Sequence, residues 1–284
     1  MGPPERAVPY LFSIDLEDIR LMFPGGTRFR PRVPAMTERY LEYLRRHSAR
    51  CTFFVVGDVA RAHPSLIRDI VAEGHEVACH TDAHLHLDRQ LPEQFRGDLL
   101  RNLDALAAAG AEDVRGFRAP AFSLVERTAW AYDILAELGF RYSSSVLPAA
   151  HPLYGWPGFG PAPRLCGSVV ELPLTLLPSG PMRVPFGGGV YFRVLPWPWV
   201  AWAFRGFLRR GEPVLGYLHP FDVDDEQESF MHPGIGGSRL YNTLMLHNRG
   251  GVLRRLDRVR EMGFRFAPYR EYVEDLTVSG AFAA

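Results

Sequence analysis

The sequence predicts an α/β fold: a distorted, partly closed (β/α) barrel of about seven units. Three observations predict it. Apolar strand-like runs alternate with amphipathic helical runs, which implies parallel strands with helices outside. The chain has 284 residues and is 47% hydrophobic, enough to close one barrel as a single domain over 1–284. Polar motifs follow five of the strand-like runs, and a parallel barrel collects such motifs at one mouth.

The elements follow in order. Residues 8–14 read as a buried strand and residues 33–47 have helical spacing. Residues 51–56 are a Phe- and Val-rich strand. Residues 58–73 read as one helix capped by Gly74, followed by a strand at 75–79. Residues 92–109 form a helix with Pro92 at its start and Gly110 after it. A short strand at 114–117, a helix at 124–138 and a strand at 140–146 come next. The region 148–196 is rich in Pro and Gly, holds one strand near 169–172, and reads as a specificity region of long loops. Residues 197–210 are a very apolar helix, read as a core helix with membrane-surface docking as the lesser alternative. A strand at 213–218, an irregular stretch at 222–251, a basic helix at 252–262 and a strand near Phe264 complete the chain. No internal repeat is visible.

Composition excludes several functions. Lys and Arg together number 32, equal to Asp plus Glu, so no polyanion-binding surface is indicated and no nucleic-acid partner is expected. Every one of those cations is Arg, which removes Schiff-base, P-loop and Ser-Lys chemistry. Cys51, Cys79 and Cys166 are odd in number and widely spaced, so they read as free thiols. No apolar run approaches the ~20 residues that span a bilayer. The first residues lack a charged-then-apolar leader, so a cytoplasmic location is expected, with membrane-surface association as the lesser alternative.

The chemistry lies in the five motifs. Ser13-Ile14-Asp15-Leu16-Glu17-Asp18 puts three carboxylates beside an apolar strand, where they would be costly to bury without a metal or an Arg. His80-Thr81-Asp82-Ala83-His84 offers two imidazoles just past a strand end, able to share one divalent cation. One carboxylate from the first motif would complete a two-His, one-carboxylate site with positions open to water. Arg118-Ala119-Pro120-Ala121-Phe122 supplies a guanidinium that can clasp a carboxylate and keep it ionised. Tyr142-Ser143-Ser144-Ser145 supplies hydroxyls. Leu218-His219-Pro220-Phe221-Asp222 places at a strand end a His whose ordinary pKa suits a general acid. Each motif alone also reads as an acidic turn, a satisfied histidine or a structural salt bridge.

Taken together, in order from Phe12 to about Phe266, the motifs resemble the polysaccharide deacetylase family, the NodB-homology carbohydrate esterases. The likeness is to the branch whose first motif is Asp-x-Glu-Asp. It includes Thr52-Phe53-Phe54-Val55-Val56-Gly57, Gly74-His75-Glu76-Val77 and Leu218-His219-Pro220. The resemblance implies a NodB-type barrel and metal-dependent removal of an N-acyl group, foremost N-acetyl, from an amino sugar in a glycan or glycan precursor. It implies Asp15 as catalytic base, His80 and His84 with Glu17 or Asp18 as metal ligands, and Arg118 as the residue orienting the base. It further implies the Ala121 N–H as oxyanion donor and His219 as general acid. The family carries Asp where this chain has Ser143, so the acid's usual carboxylate partner is missing there. The ion is expected to be Zn²⁺, with Fe²⁺, Co²⁺, Ni²⁺ and Mn²⁺ accepting similar ligands.

Substrate contacts are expected from Ser143, Trp156, Gly188, Tyr191 and Phe221, with Trp197 a further stacking candidate. Glycines in 187–189 allow close approach of a ligand, and aromatic rings stack on sugars. Core or loop packing is the competing reading for each. Two other functions remain open on the same fold: a metal-dependent amidase on a non-sugar small molecule, and a non-catalytic glycan-binding protein.

Overall fold

A computed structural model describes residues 7–151, 154–177 and 184–282. Among them nine strands form one sheet: β1 Pro9–Leu16, β2 Thr52–Val55, β3 Glu76–Cys79, β4 Gly116–Phe117, β5 Tyr142–Ser143, β6 Arg164–Cys166, β7 Val169–Glu171, β8 Val214–Leu218 and β9 Arg265–Ala267. The order is β6-β7-β5-β4-β3-β2-β1-β8, with β9 also on β1. Every pairing is parallel except β6 with β7. The ends of this order do not pair, so the sheet curls into a partly closed barrel. β8 pairs residues 10–14 of β1, so β9 at residues 9–11 and β2 at residues 13–16 divide the other edge of β1 between them.

Among the described residues ten α-helices surround the sheet: α1 Val33–Arg46, α2 Gly57–Ala62, α3 Pro64–Ala72, α4 Pro92–Ala108, α5 Ala131–Glu137, α6 Gly189–Val194, α7 Trp197–Arg210, α8 Arg239–Leu246, α9 Val252–Glu261 and α10 Tyr269–Val278. The helix expected over 58–73 is two helices, because Pro64 lacks an N–H and restarts the chain after His63. The helix expected over 124–138 begins with a separate 3-10 turn, Glu126–Thr128, and only Ala131–Glu137 is α-helical. The region 148–196 also contains β6 and α6, and α8 interrupts the stretch read as irregular. Residues 181–183 of the expected glycine-rich stretch lie outside the described residues.

Strand alternation decides what reaches the barrel interior. Tyr10, Phe12, Ile14 and Leu16 pack outward into a core with α1 residues Met36, Tyr40, Leu41 and Leu44. Leu11 packs inward with Phe54, Ala78, Tyr142, Val170, Leu215 and Ala267. The inward residue of each strand therefore continues, two positions on, toward the mouth: Leu11 to Ser13 and Asp15, Ala78 to His80, Leu215 to Tyr217 and His219. Burying each large apolar side chain of these two layers contributes about 1.5–3 kcal/mol, which fixes the register that aims the polar ones.

Candidate active site

The mouth gathers side chains from four strand ends. Parity carries Asp15 and Glu17 to the same side. The Glu17 carboxylate lies 2.7 Å from His84 Nε2 and 3.8 Å from His80 Nε2, and its other oxygen is 3.8 Å from His219 Nε2. The ligand atoms of Glu17, His80 and His84 all fall within 4.8 Å of one another, a group able to hold a metal ion. His80 Nδ1–H donates to the Arg118 carbonyl at 2.8 Å; that oxygen can only accept, so the Nε2 lone pair faces the cluster. Burial alone would raise the Glu17 pKa. The charges of His84 and His219, with hydrogen bonds from His80 and His84, outweigh it and hold the group well below the usual carboxylate range.

Asp18 does not join this cluster. Its carboxylate is held by the Arg20 guanidinium, at 2.6 Å for the shortest contact, and it caps the 3-10 turn Ile19–Met22. Of the two acidic ligand candidates, only Glu17 is placed beside the histidines.

Arg118 is fully buried and braces Asp15. Its Nη1 donates to Asp15 Oδ1 at 2.6 Å and to Ser13 Oγ at 2.7 Å. Its Nη2 donates to Tyr269 OH at 2.8 Å, its Nε donates to the Ser144 carbonyl at 3.1 Å, and its guanidinium lies 3.9 Å over the Phe54 ring. Such a guanidinium has no freedom to leave the carboxylate.

His219 has a partner that the sequence did not reveal. Asp222 accepts from His219 Nδ1–H at 2.9 Å and is itself held by Arg193 Nε from α6 at 2.7 Å. Asp222 and Arg193 are both fully buried. Phe221 stacks on the imidazole at 4.5 Å and 9°. Burial works against a charged His219, but Glu17 and the hydrogen bond and charge of Asp222 overcome it and push the pKa up to about 9. The spacing of Asp222, three residues after His219, was in the sequence; the approach of Arg193 was not, because it is a long-range contact.

The expected substrate contacts fare differently. Ser143 is buried on the outer side of β5, where its hydroxyl donates to Ser145 Oγ at 2.8 Å, so it does not line the mouth. The nearby carboxylate there is Glu171, which accepts from the Ser145 and Val146 N–H groups at 2.7 and 2.9 Å and shapes that turn. Gly188 is needed for packing: a Cβ there would sit 2.0 Å from the Tyr217 carbonyl of β8. Trp156 packs against Phe159 at 5.1 Å, and Phe221 is buried against His219 instead of offering a free ring. Tyr191 is half-buried on α6, and Trp197 is covered by the Arg258 guanidinium at 5.2 Å.

Four of the non-glycine residues with positive φ fall in two loops of the site: Thr81 and His84, then Ala121 and Phe122. Side chains disfavour that region, so these loops are held in their shape by the packing around them. Ala121 is exposed between buried Pro120 and Phe122, in the loop after β4.

Fold and site together define a partly closed barrel of the NodB type. Residues 17–143 match the polysaccharide deacetylase family model and residues 144–274 match a domain of unknown function, DUF3473. That first segment carries the chain's likeness to the polysaccharide deacetylases. It is 38% identical over 104 residues to a chitooligosaccharide deacetylase of Bradyrhizobium sp. (strain ANU 289), 36% of this chain and 45% of that protein. It is 34% identical over 67 residues to a peptidoglycan-N-acetylglucosamine deacetylase of Bacillus cereus, 24% of this chain and 32% of that protein. The chain thus spans under half the length of these relatives. A crystal structure of a Mycobacterium smegmatis protein assigned as a polysaccharide deacetylase superposes with TM-score 0.66 at 20% identity, over 98% of this chain and 93% of that one.

Proposed function

We propose that this protein removes an N-acyl group, foremost N-acetyl, from an amino sugar in a glycan or glycan precursor, using one divalent metal ion. The observation that carries the reading is the meeting of Glu17, His80 and His84 beside an arginine-held Asp15 and a carboxylate-backed His219. The relatives' names supply the substrate class.

The residues present fit a metal. Two imidazoles and one carboxylate are the donor set that Zn²⁺ accepts with positions left over, and the His80 tautomer is fixed by its carbonyl partner. Bound there, the ion would supply Lewis acidity to an acyl carbonyl and acidity to a water.

This chain's own residues account for the remainder. Asp15, oriented by Arg118, takes the proton of the attacking water. The Ala121 N–H donates toward the oxygen on which negative charge develops, a contribution of about 3 kcal/mol for a well-aimed donor. His219, with Asp222 on Nδ1, carries its proton on Nε2 and delivers it to the departing amine. The partner that the family places at the Ser143 position is replaced in this reading by Asp222.

Acetate release by the metal-loaded protein from N-acetylglucosamine oligomers tests the proposal. Release that disappears in His219→Ala supports it. Turnover of linear amides only would move the assignment to a non-sugar amidase. Tight glycan binding with no turnover would make the protein a binding module.

A further inference from the structure

The exposed face of α7 is not used by the site. Its buried side is Val200, Ala201, Ala203 and Phe204. Trp199 and Trp202 point the other way and are 58% and 46% exposed. Continuing along the same face, Arg205 and Arg209 are exposed, and Arg210 beside them pairs with Glu212 at 2.7 Å. The face therefore carries two indoles in its first turns and guanidinium groups in its last. Exposing two indoles to water is unfavourable, and nothing in the fold requires it: the neighbouring Trp197 is covered by Arg255 and Arg258.

The helix itself carries no acid. The whole chain balances 32 basic against 32 acidic residues, yet α7 has no Asp or Glu and carries Arg205, Arg209 and Arg210. Indole rings favour the boundary between headgroups and acyl chains, and guanidinium groups favour anionic headgroups. No helix of the described residues is long and apolar enough to cross a membrane, so α7 would lie on a surface.

We propose that the Trp199–Trp202 face of α7 docks the protein on a bilayer rich in anionic lipid. The indoles enter the interface while Arg205 and Arg209 meet headgroup phosphates. The placement relates this face to the mouth. Arg193 of α6 reaches Asp222 at the site, and α7 starts four residues later, so the aromatic end of the helix is the end beside the mouth. The proposal does not depend on the deacetylase reading.

Flotation of the full chain tests it, using vesicles of phosphatidylcholine alone and vesicles with added phosphatidylglycerol. The wild type is expected to float with the anionic vesicles, with its tryptophan emission shifted to shorter wavelength. Trp199→Ser/Trp202→Ser is expected to remain in the soluble fraction, with its melting temperature unchanged because both rings are exposed. Trp202→Glu, a second variant, should do the same by placing an acid among the headgroups. Arg205→Gln/Arg209→Gln should weaken partitioning about 25-fold, at about fivefold per arginine. A wild type that stays soluble with anionic vesicles overturns the proposal, as does undiminished flotation of both tryptophan variants. A dimer seen by light scattering that Trp199→Ser/Trp202→Ser dissolves, without vesicle binding, would assign the face to a second copy of the chain and equally overturn it.

Discussion

One carboxylate oxygen of Asp222 accepts two hydrogen bonds from His219, from the backbone N–H at 2.8 Å and from the ring Nδ1–H at 2.9 Å. The second fixes the tautomer and the first fixes the distance between the residues. The imidazole can then turn only so as to aim Nε2 at Glu17.

Asp222→Asn should lower the His219 pKa. In the metal-free protein it stands at about 9 against the ordinary 6.5: burial opposes the charge, and Glu17 and Asp222 overcome that opposition. A pKa raised on folding contributes stability that is fully present below pH 6.5 and lost as pH rises through about 9. The ring-proton titration of metal-free protein by NMR should move toward 6.5 in the variant, and the decline in stability across that window should shrink. An unmoved titration would show that Asp222 does not set the proton affinity.

Asp222 also neutralises Arg193, and both are fully buried. Asp222→Ala should cost about 3–5 kcal/mol in urea unfolding, because it leaves that cation without its partner. Conservative Asp222→Glu should recover most of the stability while displacing the ring.

Removing Glu17, His80 or His84 should abolish metal retention, whereas Asp18→Ala should keep it. Metal content by mass spectrometry reads this directly. Equal loss in Asp18→Ala would return Asp18 to the ligand set. His219→Ala should keep about one equivalent of metal and lose turnover by about 10²–10⁴-fold.

Arg118→Met should destabilise the fold by about 3–5 kcal/mol, since it leaves Asp15 buried and unpaired, and should abolish turnover together with stability. Asp15→Asn should abolish turnover with a smaller loss of stability, because Arg118 keeps Ser13, Ser144 and Tyr269 as partners. A denaturant midpoint and an acetate assay on both variants separate the two effects.

Gly188→Ala should unfold or severely destabilise the protein and not merely weaken substrate binding, because its Cβ meets the Tyr217 carbonyl. A variant with normal stability and a raised KM would restore the substrate-binding reading of that glycine.

The sequence made the first half of the barrel legible because its strands are continuous apolar runs and its helices have strong periodicity. Strand parity was also readable: residues 11, 13 and 15 share a face. The same counting places Ser143 opposite Tyr142, on the outer side of β5. What could not be read were short elements whose identity comes from tertiary contact. β6 has three residues, α6 has six, and α8 buries none of its side chains. The reading also stopped before α10, although Tyr269 at its start reaches the site arginine. Arg193 carries no local signal, since its partner is 29 positions away.

The position of β1 has a consequence during synthesis. It precedes every other strand of the sheet in the chain and pairs with three of them, yet one of its edges is completed by β8 and part of the other by β9. Until residues 214–218 and 265–267 have left the ribosome, the edge of β1 that β8 covers and the part of the other edge that β9 covers have no partner from their own chain. A long apolar strand with an open edge is a template for pairing with another molecule. The segment that carries Asp15 and Glu17 therefore keeps an open edge until β8 is made, and truncations ending before β8 should aggregate instead of folding as half-barrels.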